Sequence, residues 1–424
     1  MKKLIVVWLL LLFSGGILAA EPVEQVWKSK SGHEIKATAL KVQNGKVFLK
    51  RNNGKVIQVA LEKFVTEDRD KLVKLFDLSA SPTRGIGSGM PRAEGLPHPL
   101  GEVTGPIKVT ENASYLIYLP NSLKEGRKAP LLFYTHSGGG NASHLNKLTE
   151  VADVLGWILA ISMESKNKAG WVSNVQSCED SLSHIVANLP VDKKRIHYTG
   201  DSGGGAMAFM NSQTMKAYGV MPNVAYIPSH CSEETTVVYG MGGGYDYNRD
   251  YTAFASKKYR KNGFHRMSTK GHGNGPAEHY NDGMFWMHCK YLGKNKSSHR
   301  DEMKDFELSA LEWLEKVKDS KPHRAYSNAI FLKEIVGLSG ENAAVLDLLI
   351  SNLAKDQGSV SYHKGLLELN ELSKKYFAKL GATVGVKQND TNPKAAKFAK
   401  SLKEIYEGTP EIPHILDAVM KPTR

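Results

Sequence analysis

The stretch R-I-H-Y-T-G-D-S-G-G at residues 195–204 contains a candidate nucleophile, Ser202. Residues 196–199 are β-prone, residues 200–204 form the pattern G-x-S-x-G, and residues 206–215 carry good helix formers at helical spacing. A strand, a sharp glycine-rich turn and a helix together expose a serine hydroxyl above a sheet. The flanking glycines avoid clashes that any Cβ would make in such a strained turn. The pattern predicts a nucleophilic serine, and a serine that only caps the helix is the alternative.

A serine that attacks an acyl carbon needs hydrogen-bond donors for the oxyanion, a general base and an acid that orients the base. The sequence H-S-G-G-G at residues 136–140 directly follows a β-prone run at residues 131–135. Glycines there allow backbone N–H groups to approach a developing oxyanion. The N–H groups of Gly138 and Gly203 are the predicted donors, and His136 is predicted to pack within its loop.

The general base is expected in the loop after the last strand of the sheet. His272 lies in the sequence T-K-G-H-G-N-G-P, which follows a predicted strand at residues 264–268. His279 lies seven residues further on, in a predicted helix, where a packing or solvent-facing role is expected. His272 is therefore the predicted base, and His279 is the alternative.

The orienting acid is expected after the preceding strand, predicted at residues 236–239. The sequence G-G-G-Y-D-Y-N-R-D offers Asp246 and Asp250 there. Asp246 directly follows the glycines and falls in the loop, whereas Asp250 is placed as the N-cap of the next helix. Asp246 is the predicted acid, and Asp250 stays open as the alternative.

The chain order of Ser202, Asp246 and His272, each after a strand, is similar to that of the α/β-hydrolase superfamily. Residues 108–294 resemble exported esterases of the polyhydroxybutyrate-depolymerase-like and feruloyl-esterase-like kind. The matching phrases are P-L-L-F-Y-T-H-S-G-G-G, R-I-H-Y-T-G-D-S-G-G-G-A-M-A-F and G-Y-D-Y-N. The sequence departs from that family at Ser137, where glycine is usual. The resemblance implies an ester hydrolase that works through an acyl-enzyme, and this chemistry calls for no metal and no cofactor.

Apolar runs between residues 108 and 300 alternate between the strand and the helix pattern. This alternation predicts a doubly wound, mostly parallel sheet covered by helices on both faces. The predicted strands are 115–119, 131–136, 157–163, 196–199, 224–227, 236–239 and 264–268, and the helices are 141–156, 175–189, 206–215, 251–262 and 277–292. Beyond residue 300, amphipathic lysine-rich segments predict a helical C-terminal region, residues 301–424, with no recognisable chemistry.

The N-terminus has the pattern of a cleavable signal peptide at residues 1–20. Lys2 and Lys3 precede an apolar core, and Ala19 and Ala20 form a small-residue cleavage site. The sequence therefore predicts a secreted or periplasmic protein. No later segment has the ~18 apolar residues that a spanning helix needs, so the chain is not expected to span a membrane.

Residues 24–78 are predicted to form a small β-barrel domain. Alternating runs at 34–40, 46–51 and 56–61 are joined by Asn-Gly pairs, which favour tight hairpins. The phrases W-K-S-K-S-G-H-E-I-K-A and G-K-V-F-L-K-R-N-N-G-K-V-I-Q-V-A-L resemble the Src-homology-3-like homology domain of an endocytic actin-patch scaffold protein. The resemblance implies a binding or spacer module. Residues 79–107, rich in proline and glycine, are the predicted linker.

The composition is that of a globular protein, because 41% hydrophobic and 23% charged residues exclude a fully disordered or membrane-embedded chain. The formal net charge of +13 favours anionic polymers or an envelope surface as contacts over nucleic acid, although the dispersed lysines also fit a solvated surface. Three cysteines, Cys178, Cys231 and Cys289, leave at least one thiol unpaired. A Cys178–Cys231 disulfide is predicted, because export permits disulfides.

These features predict an exported serine hydrolase acting on small esters or on an esterified polysaccharide or other polymer. Trp171 is a candidate to stack on a sugar or an aromatic acyl group, although a loop-anchoring tryptophan is the more common case. The alternative is an envelope-associated binding or scaffold protein with an inactive hydrolase-like core. Such a protein would contact other proteins or anionic polymers through its N-terminal domain and basic surface.

Overall fold

A computed structural model describes residues 24–43, 46–53, 55–75, 96–228, 235–377 and 393–421. The chain divides into two compact units, Met1–Gly89 and Met90–Arg424. Several predicted features lie outside the described residues: the signal peptide at 1–20, most of the linker, the Asn44-Gly45 pair and Cys231. No helix among the described residues has the length and apolar character needed to cross a membrane.

The first unit contains a four-stranded antiparallel sheet with strands in sequential order. Its elements are β1 (Glu24–Lys28), β2 (Glu34–Gln43), β3 (Lys46–Arg51), β4 (Val56–Ala60) and α1 (Thr66–Leu75). The Trp27 indole is buried and donates to the Ala37 carbonyl at 2.9 Å, with Phe64 at its edge. The three predicted strands are confirmed. Closure of the sheet into a Src-homology-3-like barrel stays a prediction.

The second unit is built on an eight-stranded sheet in the order β5-β6-β8-β7-β9-β10-β11-β12. Only the pairs β5–β6 and β6–β8 are antiparallel. The strands are β5 (Val103–Thr110), β6 (Ala113–Tyr118), β7 (Ala129–His136), β8 (Ile158–Ser162), β9 (Val191–Asp201), β10 (Gly219–Asn223), β11 (Val237–Gly243) and β12 (Gly263–Ser268). This order, with β6 reversed, confirms the predicted α/β-hydrolase fold.

Helices cover both faces of the sheet, and each face has its own apolar core. Along β6, Tyr115 and Ile117 belong to one core while Leu116 and Tyr118 belong to the other, because side chains alternate along a strand. The core that contains Tyr115 and Ile117 also includes side chains of the helices that follow β8 and β9. The helices up to residue 295 are α2 (Ala142–Asn146), α3 (Thr149–Leu155), α4 (Trp171–Asn188), α5 (Gly203–Thr214), α6 (Arg249–Lys258) and α7 (Ala277–Asn295).

The C-terminal region is helical, as predicted, and packs on the same unit as the sheet. It comprises α8 (Arg300–Ser320), α9 (Pro322–Phe331), α10 (Gly340–Leu353), α11 (Gln357–Leu372), α12 (Pro393–Ile405) and α13 (Ile412–Met420), with single π-helical turns at Leu332–Val336 and Ser373–Phe377. The β12 backbone N–H of His265 donates to the Asn370 side chain at 2.9 Å. The buried Arg266 guanidinium bonds to the Tyr362 hydroxyl and lies 3.3 Å from the Glu411 carboxylate. The edge of the sheet is thus tied to these helices.

Three local predictions differ from the structure. The first strand, Val103–Thr110, begins within the predicted linker. The predicted strand 224–227 is wrong, because the strand is Gly219–Asn223 and Val224 turns away with a φ of 44°. The predicted helix 141–156 is divided in two around Leu148. In the last two cases an apolar run continues past the end of an element, so the run alone does not mark the boundary.

Candidate active site

Ser202 occupies a strained turn between β9 and α5. Its φ of 56° and ψ of −122° lie far from the conformations that residues with a side chain prefer, at a cost of roughly 1–3 kcal/mol. The Ser202 N–H donates to the Asn223 carbonyl of the adjacent strand at 3.0 Å, which fixes the turn on the sheet. The side chain stays partly exposed at the carboxyl end of the strand.

Glycines beside Ser202 are required by close packing against β7. A Cβ on Gly200 would stand 2.4 Å from the Thr135 carbonyl oxygen, and a Cβ on Gly204 would stand 2.2 Å from the same atom. Neither distance is sterically possible without moving backbone. The glycines of the G-x-S-x-G pattern therefore allow the start of helix α5 to pass directly over β7.

The structure brings Ser202, His272 and Asp246 into one hydrogen-bonded chain. Ser202 Oγ lies 2.8 Å from His272 Nε2, and His272 Nδ1 lies 2.9 Å from Asp246 Oδ1. The Asp246 side chain is fully buried, and its Oδ1 also accepts the Asn248 N–H at 3.0 Å. A carboxylate can only accept, so Nδ1 of His272 carries the proton and Nε2 is the ring atom free to take one from Ser202.

The loops after β11 and β12 place Asp246 and His272 at the same edge of the sheet. The two strands are parallel neighbours, and β10 separates them from β9, so all four carboxyl ends lie along the same edge of the sheet. The Tyr247 ring stacks on the His272 imidazole at 4.4 Å with an angle of 18°. Burial, followed by the neighbouring Asp246, raises the pKa of the Tyr247 hydroxyl. The Tyr247 ring therefore covers one face of the imidazole.

The alternative residues lie elsewhere. His279 is buried within helix α7, and burial, reinforced by Arg266, lowers its pKa well below the usual range. Asp250 is in the first turn of α6, where its carboxylate lies 3.2 Å from Arg249, and the N-cap position that was predicted for it belongs to Asn248. His136 bonds to its own loop and to the loop that carries His272.

The predicted oxyanion donors differ in availability. Gly203 is the first residue of α5, so its N–H has no acceptor within the helix. The Gly138 N–H, by contrast, donates to Nδ1 of His136 at 3.0 Å. Nε2 of the same imidazole lies 3.1 Å from Asn274 Oδ1, which fits the tautomer with the proton on Nε2. The role predicted for Gly138 would require its bond to His136 to break.

Asn223 links the serine turn to the histidine loop. Its carbonyl accepts the Ser202 N–H, while its side-chain amide donates to Asp201 and, at 2.9 Å, to the Gly273 carbonyl. Gly273 directly follows His272. One side chain thus connects the residue before the serine with the residue after the histidine.

A buried polar network lies beneath the serine turn, around the Asp201 carboxylate. The hydroxyls of Tyr134 and Tyr280 donate to Asp201, and Lys147 Nζ bonds to the Tyr134 hydroxyl at 3.2 Å. Burial is the main cause that raises the pKa of both tyrosines and lowers the pKa of Lys147. Because Asp201 has these donors, a carboxylate can be buried at the end of β9 without an unpaired charge.

A cavity of about 260 Å³ opens above Ser202. Trp171, the first residue of α4, lines it with 41% of its surface exposed, and its ring meets Tyr226 edge-on at 6.3 Å. Much of the remaining wall is formed by six further residues: Lys166, Asn167, Asn174, Met207, Tyr247 and Asn248. The wall combines aromatic surface with neutral hydrogen-bonding groups and one lysine.

Cys178 is a free cysteine on helix α4 and is fully buried. Burial raises the pKa of its thiol to about 12, so it is an unreactive core residue. Because Cys178 is a free thiol, the predicted Cys178–Cys231 disulfide is wrong; Cys231 itself lies outside the described residues.

One family model matches the N-terminal part of the chain. Residues 21–77 match the family described as SLA1 homology domain 1, which confirms the resemblance of the N-terminal domain. No curated protein sequence matches the chain.

Solved esterase structures align with part of the chain. A hyperthermophilic esterase from the archaeon Pyrobaculum calidifontis is 14% identical, with a TM-score of 0.34 over 41% of this chain and 76% of the esterase. An arylesterase is 15% identical, with a TM-score of 0.34 over 42% and 80% of the two chains. Est1E from Butyrivibrio proteoclasticus is 12% identical, with a TM-score of 0.32 over 41% and 93%. The strand order described above, and not these partial superpositions, identifies the fold.

Several residues of the site were not found from the sequence. Four residues lie close in space to Ser202, Asp246 or His272, yet no motif singles them out: Asn223, Asn274, Tyr247 and Asn167. The only signal was position: each falls within a few residues of a strand end at the edge where Ser202 lies.

Proposed function

We propose that the second unit is a serine hydrolase that cleaves carboxylic esters. The observation that carries this proposal is the unbroken hydrogen-bonded chain from Ser202 Oγ through His272 to the buried Asp246 carboxylate, at 2.8 and 2.9 Å. A serine held in a strained turn and aligned with a base and an acid is the arrangement that nucleophilic acyl transfer requires.

Acylation follows from this geometry. Ser202 Oγ attacks the acyl carbon, its proton passes to His272 Nε2, and the carbonyl oxygen becomes the oxyanion. Collapse of the tetrahedral adduct breaks the ester C–O bond. The leaving alcohol oxygen takes the proton from His272 Nε2, and the acyl group stays on Ser202.

Deacylation repeats these steps with water. A water molecule gives a proton to His272 Nε2 as its oxygen adds to the acyl carbon. Ser202 Oγ then leaves with that proton, and the carboxylic acid is released. In both steps the imidazolium forms between Asp246 and the reacting atoms, so the buried carboxylate stabilises it.

The cavity supports an ester with a polar or polyhydroxylated part as substrate. Trp171 offers an exposed ring beside Ser202, and carbohydrate rings and aromatic acyl groups both stack on such surfaces. An ester of a sugar or polysaccharide is therefore our preferred substrate class. Hydrolysis of acetyl, feruloyl and longer-chain esters by one preparation, compared with a Trp171→Ala variant, tests this preference.

The decisive experiment is labelling with a fluorophosphonate. The wild-type chain is expected to react once, and Ser202→Ala is expected to lose the label. Ser137→Ala is the matched control, because Ser137 lines the same cavity and is expected to leave labelling intact. A folded wild-type chain that never reacts would favour the alternative, a binding protein with an inactive core.

Export of the protein is part of the proposal. The signal-peptide pattern at residues 1–20 supports it, and N-terminal sequencing of the protein recovered outside the cytoplasm is expected to begin after Ala20. Recovery of the intact N-terminus from the cytoplasm would contradict it.

A further inference from the structure

The carboxamide of Asn167 lies against the backbone of Gly203, next to the nucleophile. A Cβ placed on Gly203 would stand 1.9 Å from Asn167 Oδ1 and 3.4 Å from Nδ2. Both residues line the cavity that contains Ser202. The side chain of Asn167 is therefore at the mouth of the region where the Gly203 N–H meets an oxyanion.

The site lacks a second backbone donor in the position that the sequence predicts. The Gly138 N–H is bonded to His136 Nδ1 at 3.0 Å, and the same imidazole bonds to Asn274. To free the Gly138 N–H, its hydrogen bond to His136 must break, and His136 is also bonded to the loop that carries His272. An oxyanion beside Gly203 needs another donor, and an amide side chain can supply N–H groups without adding a charge.

Asn167 is held in place by its backbone, independently of its side chain. Its N–H donates to the Ser137 carbonyl at 2.9 Å, and it begins a single 3₁₀ turn, Asn167–Ala169. The preceding Lys166 is fixed at both its N–H and its carbonyl by the Asn174 carboxamide, at 3.1 and 2.9 Å. The backbone that carries the Asn167 side chain is therefore fixed beside the cavity, which limits the positions that its exposed carboxamide can take.

The carboxamide itself is uncommitted. It forms no hydrogen bond with any other part of the chain that the structure describes. A half-turn about its last torsion exchanges Oδ1 with Nδ2 and directs an N–H to the place that Oδ1 occupies beside Gly203.

We propose that Asn167 is a catalytic residue whose side-chain amide, together with the Gly203 N–H, forms the oxyanion hole. This inference rests on the proposed ester hydrolysis and assigns one further donor to it. As the carbonyl oxygen gains charge during attack by Ser202, Asn167 Nδ2–H donates to it, and the bond weakens again when the carbonyl reforms. The interaction is strongest in the transition state, so it acts on kcat more than on KM.

The test compares Asn167→Ala and Asn167→Asp with Lys168→Ala. Lys168 is exposed in the same 3₁₀ turn and takes no part in the site, so it is the matched control. With p-nitrophenyl acetate as substrate, kcat of Asn167→Ala is expected to fall on the order of 10²-fold with KM changed by less than about threefold. Asn167→Asp keeps the shape but replaces both donors by acceptors, so its kcat is expected to fall at least as far.

Inhibition by phenylboronic acid provides a readout that a structural role would not move. Its tetrahedral adduct with Ser202 carries an oxygen where the oxyanion forms, so its affinity is expected to weaken in parallel with kcat. A kcat within about threefold of wild type, or equal losses in kcat and in substrate binding, would overturn the role of Asn167.

A failure of the proposed function can be distinguished from a failure of the role proposed for Asn167. A wild-type chain that neither reacts with a fluorophosphonate nor hydrolyses p-nitrophenyl acetate would remove ester hydrolysis itself, and the role of Asn167 with it. An active wild type with unimpaired Asn167 variants would remove only Asn167. Thermal unfolding of each variant establishes that the comparison is made between folded proteins.

Discussion

Gly244, two residues before Asp246, lies directly against Ala418 of the last described helix. A Cβ on Gly244 would stand 2.5 Å from the Ala418 Cβ and 3.3 Å from the Ser268 carbonyl oxygen. The Gly244 carbonyl also accepts a bond from Arg249 at 2.8 Å, and the Arg249 guanidinium lies 3.9 Å from the Phe377 ring. The loop that carries Asp246 is therefore enclosed by the C-terminal helices, which gives that region a supporting role in the proposed chemistry.

Substitution of Gly244 by alanine is expected to lower both stability and activity. Overpacking of this kind costs about 1–3 kcal/mol, and any relief by movement of the loop displaces Asp246. The double variant Gly244→Ala with Ala418→Gly removes the methyl group that clashes and is expected to recover much of both losses. Thermal unfolding and kcat measured on the three variants test this. Failure of the second change to rescue the first would show that helix α13 does not set the position of the loop.

The two candidate histidines are expected to behave differently. His272→Ala is expected to lower kcat by on the order of 10³ or more while the protein stays folded, because triad members act as a unit. His279→Ala is expected to cost less than tenfold in kcat but to lower the free energy of unfolding, since His279 is buried in α7. Steady-state kinetics and thermal unfolding of both variants check this, and loss of activity only in His279→Ala would require another triad.

Asn223 is expected to act as a positioning residue. Asn223→Asp keeps its size but removes the donors to Asp201 and Gly273 and places a second carboxylate beside Asp201. We expect kcat to fall about 10- to 100-fold, because a small displacement of the His272 loop misaligns the base. The pH profile of kcat/KM provides the further readout: the acid limb, which reports the base, is expected to move. Unchanged kinetics in a folded variant would remove this role.

Buried histidines predict a loss of stability in acid. Burial lowers the pKa of His197 and His265 to about 3 and the pKa of His144 and His363 to about 4. In the unfolded chain these histidines have pKa values of about 6.5, so below that pH they bind protons that they do not bind in the native state. The free energy of unfolding therefore falls as pH falls below about 6.5. Each such histidine contributes about 1.4 kcal/mol per pH unit, down to its native pKa.

His197 gives this prediction its sharpest test. Its ring is fully buried and stacks on Trp157 at 4.1 Å. His197→Phe keeps an aromatic ring but cannot bind a proton. The slope of unfolding free energy against pH between about 6 and 4, from urea denaturation, is expected to fall by about one proton. An unchanged slope would mean that His197 does not stay neutral in the folded protein.

The sequence by itself determined the local chemistry of this protein. The backbone around Ser202 requires glycine, since there is no room for a Cβ at Gly200 or Gly204. A requirement of this kind can be recognised from the residue types in the sequence. Likewise, the alternation of strands and helices indicated a sheet whose strand ends meet at one edge. The order of Ser202, Asp246 and His272, each after its strand, was therefore enough to predict which side chains the structure brings together.

Only the tertiary structure decided which groups surround these three residues. Asn223 lies 21 positions from Ser202, Asn167 lies 36 positions from Gly203 and Ala418 lies 174 positions from Gly244. No periodicity or motif relates these pairs. The engagement of the Gly138 N–H by His136 could not be read from the glycines, because a glycine-rich loop permits a donor without setting its direction. Close packing selects among such local possibilities, and packing depends on residues that are neighbours only after the chain has folded.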